Sequence, residues 1–248
     1  MKNIIEKCTS LAKLQKKLEK RELRKKDEKI CLEIVKELSS TALDQIVVQE
    51  VSEVEGLMKR VLLYKSKELE IRAHIFENME SETLSHNHGQ PFITACIEGG
   101  YIHKLDYIDL EDQTGMLNKC DREAGKFDSE YKKEQIKGKI INKFSHNFGF
   151  AQAMYIHQDT FHRVESKGVS TTTIVFRGKK TRSYCQLYSE KKDDEELRID
   201  SPKIVEGHSK SKILSLLEKK LKFYRLKLQL EKNIVLNKNR NKKSVSLL

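Results

Sequence analysis

Leu11, Leu14 and Leu18 form one apolar stripe, and Ile30, Ile34 and Leu38 form another at i, i+4 spacing, so residues 3–38 read as helix. The stretch between the stripes, Lys16 to Lys29, is nearly all charged and reads as a solvated part of that helix. Thr41 to Val54 mixes β-branched and acidic residues and admits a short second helix. From Arg60 the texture changes. Val61 to Tyr64, Leu69 to Phe76, Phe92 to Ile97 and Tyr101 to Ile108 read as short strands with partial alternation, separated by Lys65-Ser66-Lys67, the loop Glu77–Ser85 and the turn Glu98-Gly99-Gly100. Residues 109–139 are polar, contain Gly115 and Gly125, and read as an insertion or a long hairpin. Strand texture returns at Phe150–Ile156, Arg163–Glu165, Thr171–Phe176 and Arg182–Tyr188. Many short strands at regular spacing predict a β-sandwich or barrel. A helix follows from Ser209, with Leu214, Leu217, Leu221, Tyr224 and Leu228 three and four residues apart, and the Asn/Lys/Arg run after Leu236 reads as a frayed tail. The organisation expected is thus a helical region over 1–58, a β-barrel over 59–192, a C-terminal helix over 203–236 and a basic disordered tail over 237–248.

Composition narrows the class. The chain has 248 residues, enough for one sizeable core, with two prolines, no tryptophan and 34% charged residues. No apolar run approaches the ~18 residues of a transmembrane helix. The first residues, Met1 to Lys7, are interrupted by charge and do not read as a secretory signal. Five cysteines, at 8, 31, 96, 120 and 185, are scattered and form no Cys-x-x-Cys pair, which argues against a disulfide framework and for a reducing, cytoplasmic setting. The net charge of +11 is unevenly placed: +5 over residues 1–40, −4 over 41–202 and +10 over 203–248. The basic character belongs to the ends, so nucleic acid is expected at most at the tail.

The candidate chemistry begins at His86-Asn87-His88. Two histidines one residue apart on a strand point the same way, because side-chain direction repeats every two residues. Their imidazoles can share one metal ion, and a third histidine from a neighbouring strand completes a facial set that leaves the other side of the ion open. His162 is the candidate third ligand. The plain alternative is a set of surface or loop histidines, since exposed His-x-His pairs arise by chance. The contiguous string is not an HNH nuclease motif, whose residues are dispersed over a ββα unit.

His86-x-His88, the apolar strand after it, the Gly99-Gly100 turn, and the later Ile156-His157-Gln158-Asp159-Thr160-Phe161-His162 together resemble the cupin superfamily of RmlC-like jelly rolls. The first cupin motif places His-x-His before a strand that ends at a glycine turn. The second places one histidine at the start of a strand, just after a tight turn, for which Asp159-Thr160 stands here. Phe92 and Ile93 occupy the place where the cupin pattern has a glutamate, which leaves three histidines. That form resembles the thiol dioxygenases, the cysteine dioxygenase branch. Arg60-Val61-Leu62-Leu63 is similar to the arginine with which that branch grips a substrate carboxylate. Ile93 stands where some members carry a cysteine cross-linked to a tyrosine, and Val175 to Lys179 has no match to the serine, histidine and tyrosine that support that site.

The resemblance, which covers residues of about 45 to 190, implies a mainly β, cupin-type jelly-roll barrel flanked by helices. It also implies a divalent metal, Fe(II) first, on His86, His88 and His162, although imidazole ligation equally suits Ni, Zn, Mn or Cu. The activity implied is that of an iron(II) oxygenase taking dioxygen and a small anionic substrate, with Arg60 as substrate anchor. The competing reading is a non-catalytic cupin module attached to a partner by its basic helical ends. Arg60 has a plain reading too, as a surface arginine paired with Glu53 or Glu55. Arg177 and Arg182, around Gly178-Lys179-Lys180, read as solvated hairpin residues, and His103, His146 and His157 as ordinary histidines. The leucine stripe of the C-terminal helix fits docking on the barrel or a homodimer.

Overall fold

Short β-branched and apolar runs, some alternating like residues 70–76 and some continuously buried like 92–98, form two seven-stranded antiparallel sheets in the computed structural model, which describes residues 4–41, 45–54, 57–77, 81–82, 84–123, 132–190 and 202–245. The strands are β1 (Glu50–Val54), β2 (Met58–Lys65), β3 (Glu70–Phe76), β4 (Ser85–His86), β5 (Phe92–Glu98), β6 (Gly100–Asp109), β7 (Met116–Glu123), β8 (Lys132–Lys137), β9 (Lys139–Gly149), β10 (Ala153–Ile156), β11 (Phe161–Ser166), β12 (Thr171–Arg177), β13 (Tyr184–Ser189) and β14 (Lys203–Ile204). One sheet has the order β10-β5-β12-β3-β2-β1-β14, and the other β8-β7-β13-β4-β11-β6-β9.

The pairing is nested. β6 pairs with β9, β5 with β10, β4 with β11 and β3 with β12, all antiparallel. A long antiparallel ribbon whose successive pairs fall on alternate sheets is a jelly roll, and the strand order establishes that fold here. Residues 109–139, expected as an insertion or long hairpin, form the β7–β8 hairpin between the innermost pair, and β13 joins it to β4. Gly125 lies outside the described residues.

The turn that starts the nesting needs glycine. Gly99 has φ +69°, and a Cβ there would lie 2.1 Å from the Ser170 carbonyl oxygen. No side chain fits that approach.

Three helices cover the outer face of the first sheet: α1 (Thr9–Leu18), α2 (Glu28–Ser39) and α3 (Gly207–Val245). Leu11, Leu14, Ile34, Leu38, Leu217, Leu221 and Tyr224 pack there against Ile71, Ala73, Ile75, Ile93, Ala95, Ile174 and Phe176. The leucine stripe of α3 is therefore spent on docking, as one of its two expected uses. The helix continues to Val245, past Leu236, because the Asn/Lys/Arg run holds no glycine or proline to stop it.

Two expectations near the N-terminus differ from the structure. The charged stretch between the leucine stripes is not one solvated helix; α1 stops at Leu18 and α2 starts at Glu28. Asp27, fully buried, causes the break: Arg21 donates to its two oxygens at 2.7 and 2.6 Å, and the Arg24 amide donates at 3.0 Å. A carboxylate taken out of water requires such partners. Glu50–Val54, where a short helix was admissible, is strand β1.

Since Ile71, Ala73 and Ile75 of β3 face the helices, Glu70, Arg72, His74 and Phe76 face the second sheet. The main apolar core thus lies outside the barrel, and much of the barrel's inner face is polar.

Candidate metal centre

His86 and His162 meet because β4 and β11 pair in a register that sets them directly opposite, where Cβ atoms of neighbouring strands are closest. His88 follows two residues later on the same side. Asn87 between them points the other way and stitches its neighbour strand: its Oδ1 accepts from the Gln186 amide at 2.8 Å, and its amide donates to the Gln186 carbonyl at 3.1 Å. Each residue of the tripeptide therefore has a separate task.

The three rings converge. Centroids lie 5.0 Å apart for His86–His88, 4.5 Å for His86–His162 and 5.0 Å for His88–His162. One ring nitrogen from each lies within 4.8 Å of the others, and the Nε2 atoms of His88 and His162 approach to 2.8 Å. His86 turns its Nδ1 toward the Leu84 carbonyl at 3.4 Å, which leaves its Nε2 for the centre of the group. His162 is buried, while His86 and His88 are half-buried, so the cluster has an open side.

Burial, with His86 and other histidines adding to it, holds His88 and His162 far below the usual histidine range. Neutral imidazole is the ligating form, so the environment selects the state that a metal needs.

The surroundings hold several groups that the sequence reading passed over. His103 on β6 is buried; its ring stacks on His162 at 4.7 Å and 15°, and neither ring nitrogen has a hydrogen-bond partner among the described residues. Burial, then His86 and His146, push it down to about 3. Glu82, in the loop before β4, lies beside His86 and accepts from the Val164 amide at 2.8 Å, and burial raises its carboxyl. Where the cupin pattern has its glutamate, the Phe92 ring lies 4.8 Å from His88 and 5.7 Å from His162. An apolar ring stands there in place of a carboxylate.

Arg177 and Arg182 are not solvated hairpin residues. Arg177, at the inward end of β12, donates to Glu70 at 3.0 Å and lies close enough to His88 to depress it further. Strand parity sets Arg177 on the face opposite the core residues Ile174 and Phe176, but Thr171 to Val175 does not alternate and gives no sign of it in the sequence. Arg182 binds the carbonyl of His88 at 2.9 Å, the carbonyl of Gln158, and Asp159 at 3.0 Å. One guanidinium therefore ties the segment carrying His88 to the loop that leads into His162. No sequence pattern announces such a contact.

Arg60 is buried on β2, opposite His74 on β3, and not on the surface beside Glu53; Glu55 lies outside the described residues. Burial, followed by the like charge of Arg177, lowers the Arg60 guanidinium, against the pull of Glu50 and Glu70. Burial, then Arg60 and Arg177, push His74 down to about 3. The inner face of the first sheet is thus cationic, with Glu70 bridging Arg72 and Arg177.

No protein-family model matches the chain, and no curated protein matches it. Solved structures with remote likeness include TT1209 from Thermus thermophilus (8% identity, 56% of this chain and 95% of that one, TM-score 0.33) and KdgF from Halomonas sp. (13%, 53% and 87%, 0.30). An RmlC-like cupin from Shewanella frigidimarina is another (14%, 52% and 84%, 0.29). At these scores the jelly roll stands on its own strand order, and the site on its own geometry.

Proposed function

We propose that His86, His88 and His162 hold a divalent metal ion and that the chain is a metal-dependent oxidoreductase. Its type is that of a non-haem iron(II) oxygenase similar to the cysteine dioxygenase branch, acting on a small carboxylate with dioxygen. The observation that carries this reading is the convergence of three imidazoles, from two paired strands, on one point inside a jelly roll. The donor set fits the ion: three uncharged nitrogens, with Phe92 rather than a carboxylate beside them, leave a divalent cation its full charge. When bound, the ion supplies Lewis-acid and redox chemistry on its open side. The protein's own residues do the rest. Phe92 keeps one wall of the centre dry, and Arg182 holds the two ligand-bearing segments together. Arg60, with Arg177 nearby, supplies the positive inner face on which a carboxylate is held.

Metal analysis of the purified full chain tests this. About one equivalent of Fe, Ni, Zn, Mn or Cu is expected, lost on His86→Ala or His162→Ala while the far-ultraviolet dichroism is kept. Wild-type protein that takes up none of these metals at micromolar concentration sinks the reading.

A second reading is favoured by one observation. Phe223, Leu226, Leu230 and Ile234 of α3 are exposed on a face that does not dock on the barrel, flanked by Lys222, Arg225 and Lys227. This suits a binding module, or a homodimer through α3, and a metal-free wild type would favour it.

A further inference from the structure

Resting on the metal reading above, we infer that His103 is a fourth functional histidine of the centre. It is not a ligand of the ion; its imidazole hydrogen-bonds to the small molecule or anion that occupies the open coordination side.

The register places it there. His162 pairs with Leu105 and Val164 with His103, so His103 and His162 are diagonal neighbours on the same inward face of adjacent strands. Their rings are nearly parallel, 4.7 Å apart. A metal–oxygen or metal–nitrogen bond of about 2.1 Å followed by a hydrogen bond of about 2.8 Å spans about 5 Å. The 4.7 Å separates ring centres and not nitrogen from ion, so it sets His103 directly beside the ring of His162, within the scale of that span. It is displaced too far to join the three nitrogens that converge, and His103 is not among them.

The second observation is the state of its nitrogens. A neutral imidazole carries one donor and one acceptor, and at 1% exposure both are without a hydrogen-bond partner among the described residues. Leaving them so carries the desolvation cost of two buried polar groups with nothing in return. A ring kept only for packing has no need of two polar nitrogens. A buried imidazole with two idle nitrogens next to three converging ones fits a partner that arrives with the ion.

Azide serves as the probe, on the full chain loaded with Co(II), whose visible absorption reports both metal uptake and anion binding. His103→Phe keeps an aromatic ring in the stack and removes both nitrogens. It should bind Co(II) within about threefold of wild type yet bind azide roughly 3–12-fold more weakly, the loss of one hydrogen bond of about 0.7–1.5 kcal/mol. His103→Asn, which restores a donor and an acceptor, should recover part of that loss. An unchanged azide affinity in His103→Phe overturns the inference, as does a tenfold or larger loss of Co(II) affinity, which would make the ring a ligand or a pillar of the site. Should both variants fail to fold, nitrogen-15 spectra of the Zn(II)-loaded wild type decide: a His103 ring signal that moves on adding azide supports the inference, and an unmoved one overturns it. A wild type that binds no metal removes the metal reading and this inference together. One that binds metal but shows no azide effect at His103 removes this inference alone.

Discussion

Four interior histidines carry a cost at low pH that the rest of the molecule must bear. His74, His88, His103 and His162 all have folded-state values depressed by burial. The unfolded chain therefore takes up protons first as pH falls below about 6.5, and stability present above that pH is lost progressively down to the folded-state values, about 3 for His74 and His103. At pH 5.5 each contributes a loss on the order of 1 kcal/mol. In chelator, the urea midpoint should fall steeply between pH 7 and 5, and a flat profile would show that water already reaches these rings. At the candidate centre, His86 and His88 are readable from the chain because spacing on a strand is a local property, and His162 through the motif that resembles the cupin pattern. His103, Arg177 and Arg182 are not. Their roles depend on which strands become neighbours, and β6 meets β11 only after the chain has doubled back across some sixty residues.

Between elements, the weak point is the pair of segments that bear the proposed ligands. β4 has only two residues, and His88 already lies beyond its ladder, so backbone pairing alone does not fix that ring. The guanidinium of Arg182 does, through the carbonyls of His88 and Gln158, while the Thr181 and Arg182 amides hold the Gly89 carbonyl at 2.9 and 3.0 Å. Arg182→Met should raise the metal dissociation constant by about 10–100-fold, the usual range for a group that supports ligands from behind. Isothermal titration against Zn(II) measures it, and an affinity within twofold of wild type would assign Arg182 to the fold alone. At this scale the strands themselves were largely legible: alternation or short β-branched and apolar runs mark β3, β5, β6 and β12 close to where they lie. The helix break at Asp27 was not, since a buried ion pair and a solvated charge run have the same composition.

At the scale of the whole molecule, the fold reverses the usual arrangement of a barrel around its own oil. The packing that holds the first sheet comes from α1, α2 and α3, which cover Ile71, Ile75, Ile93, Ile174 and Phe176. Removing residues 1–40 should therefore leave the barrel strands unable to form a soluble, cooperatively melting species, with the exposed sheet face binding an apolar dye. A monodisperse truncated protein with a sharp thermal transition would show that α3 suffices. The same arrangement divides the sequence of β3 by parity. Ile71, Ala73 and Ile75 answer to the helices, whereas Glu70, Arg72, His74 and Phe76 answer to what lies inside. A lineage could rewrite the even-numbered positions one at a time, changing what the vessel accepts, while the odd-numbered ones keep its walls standing.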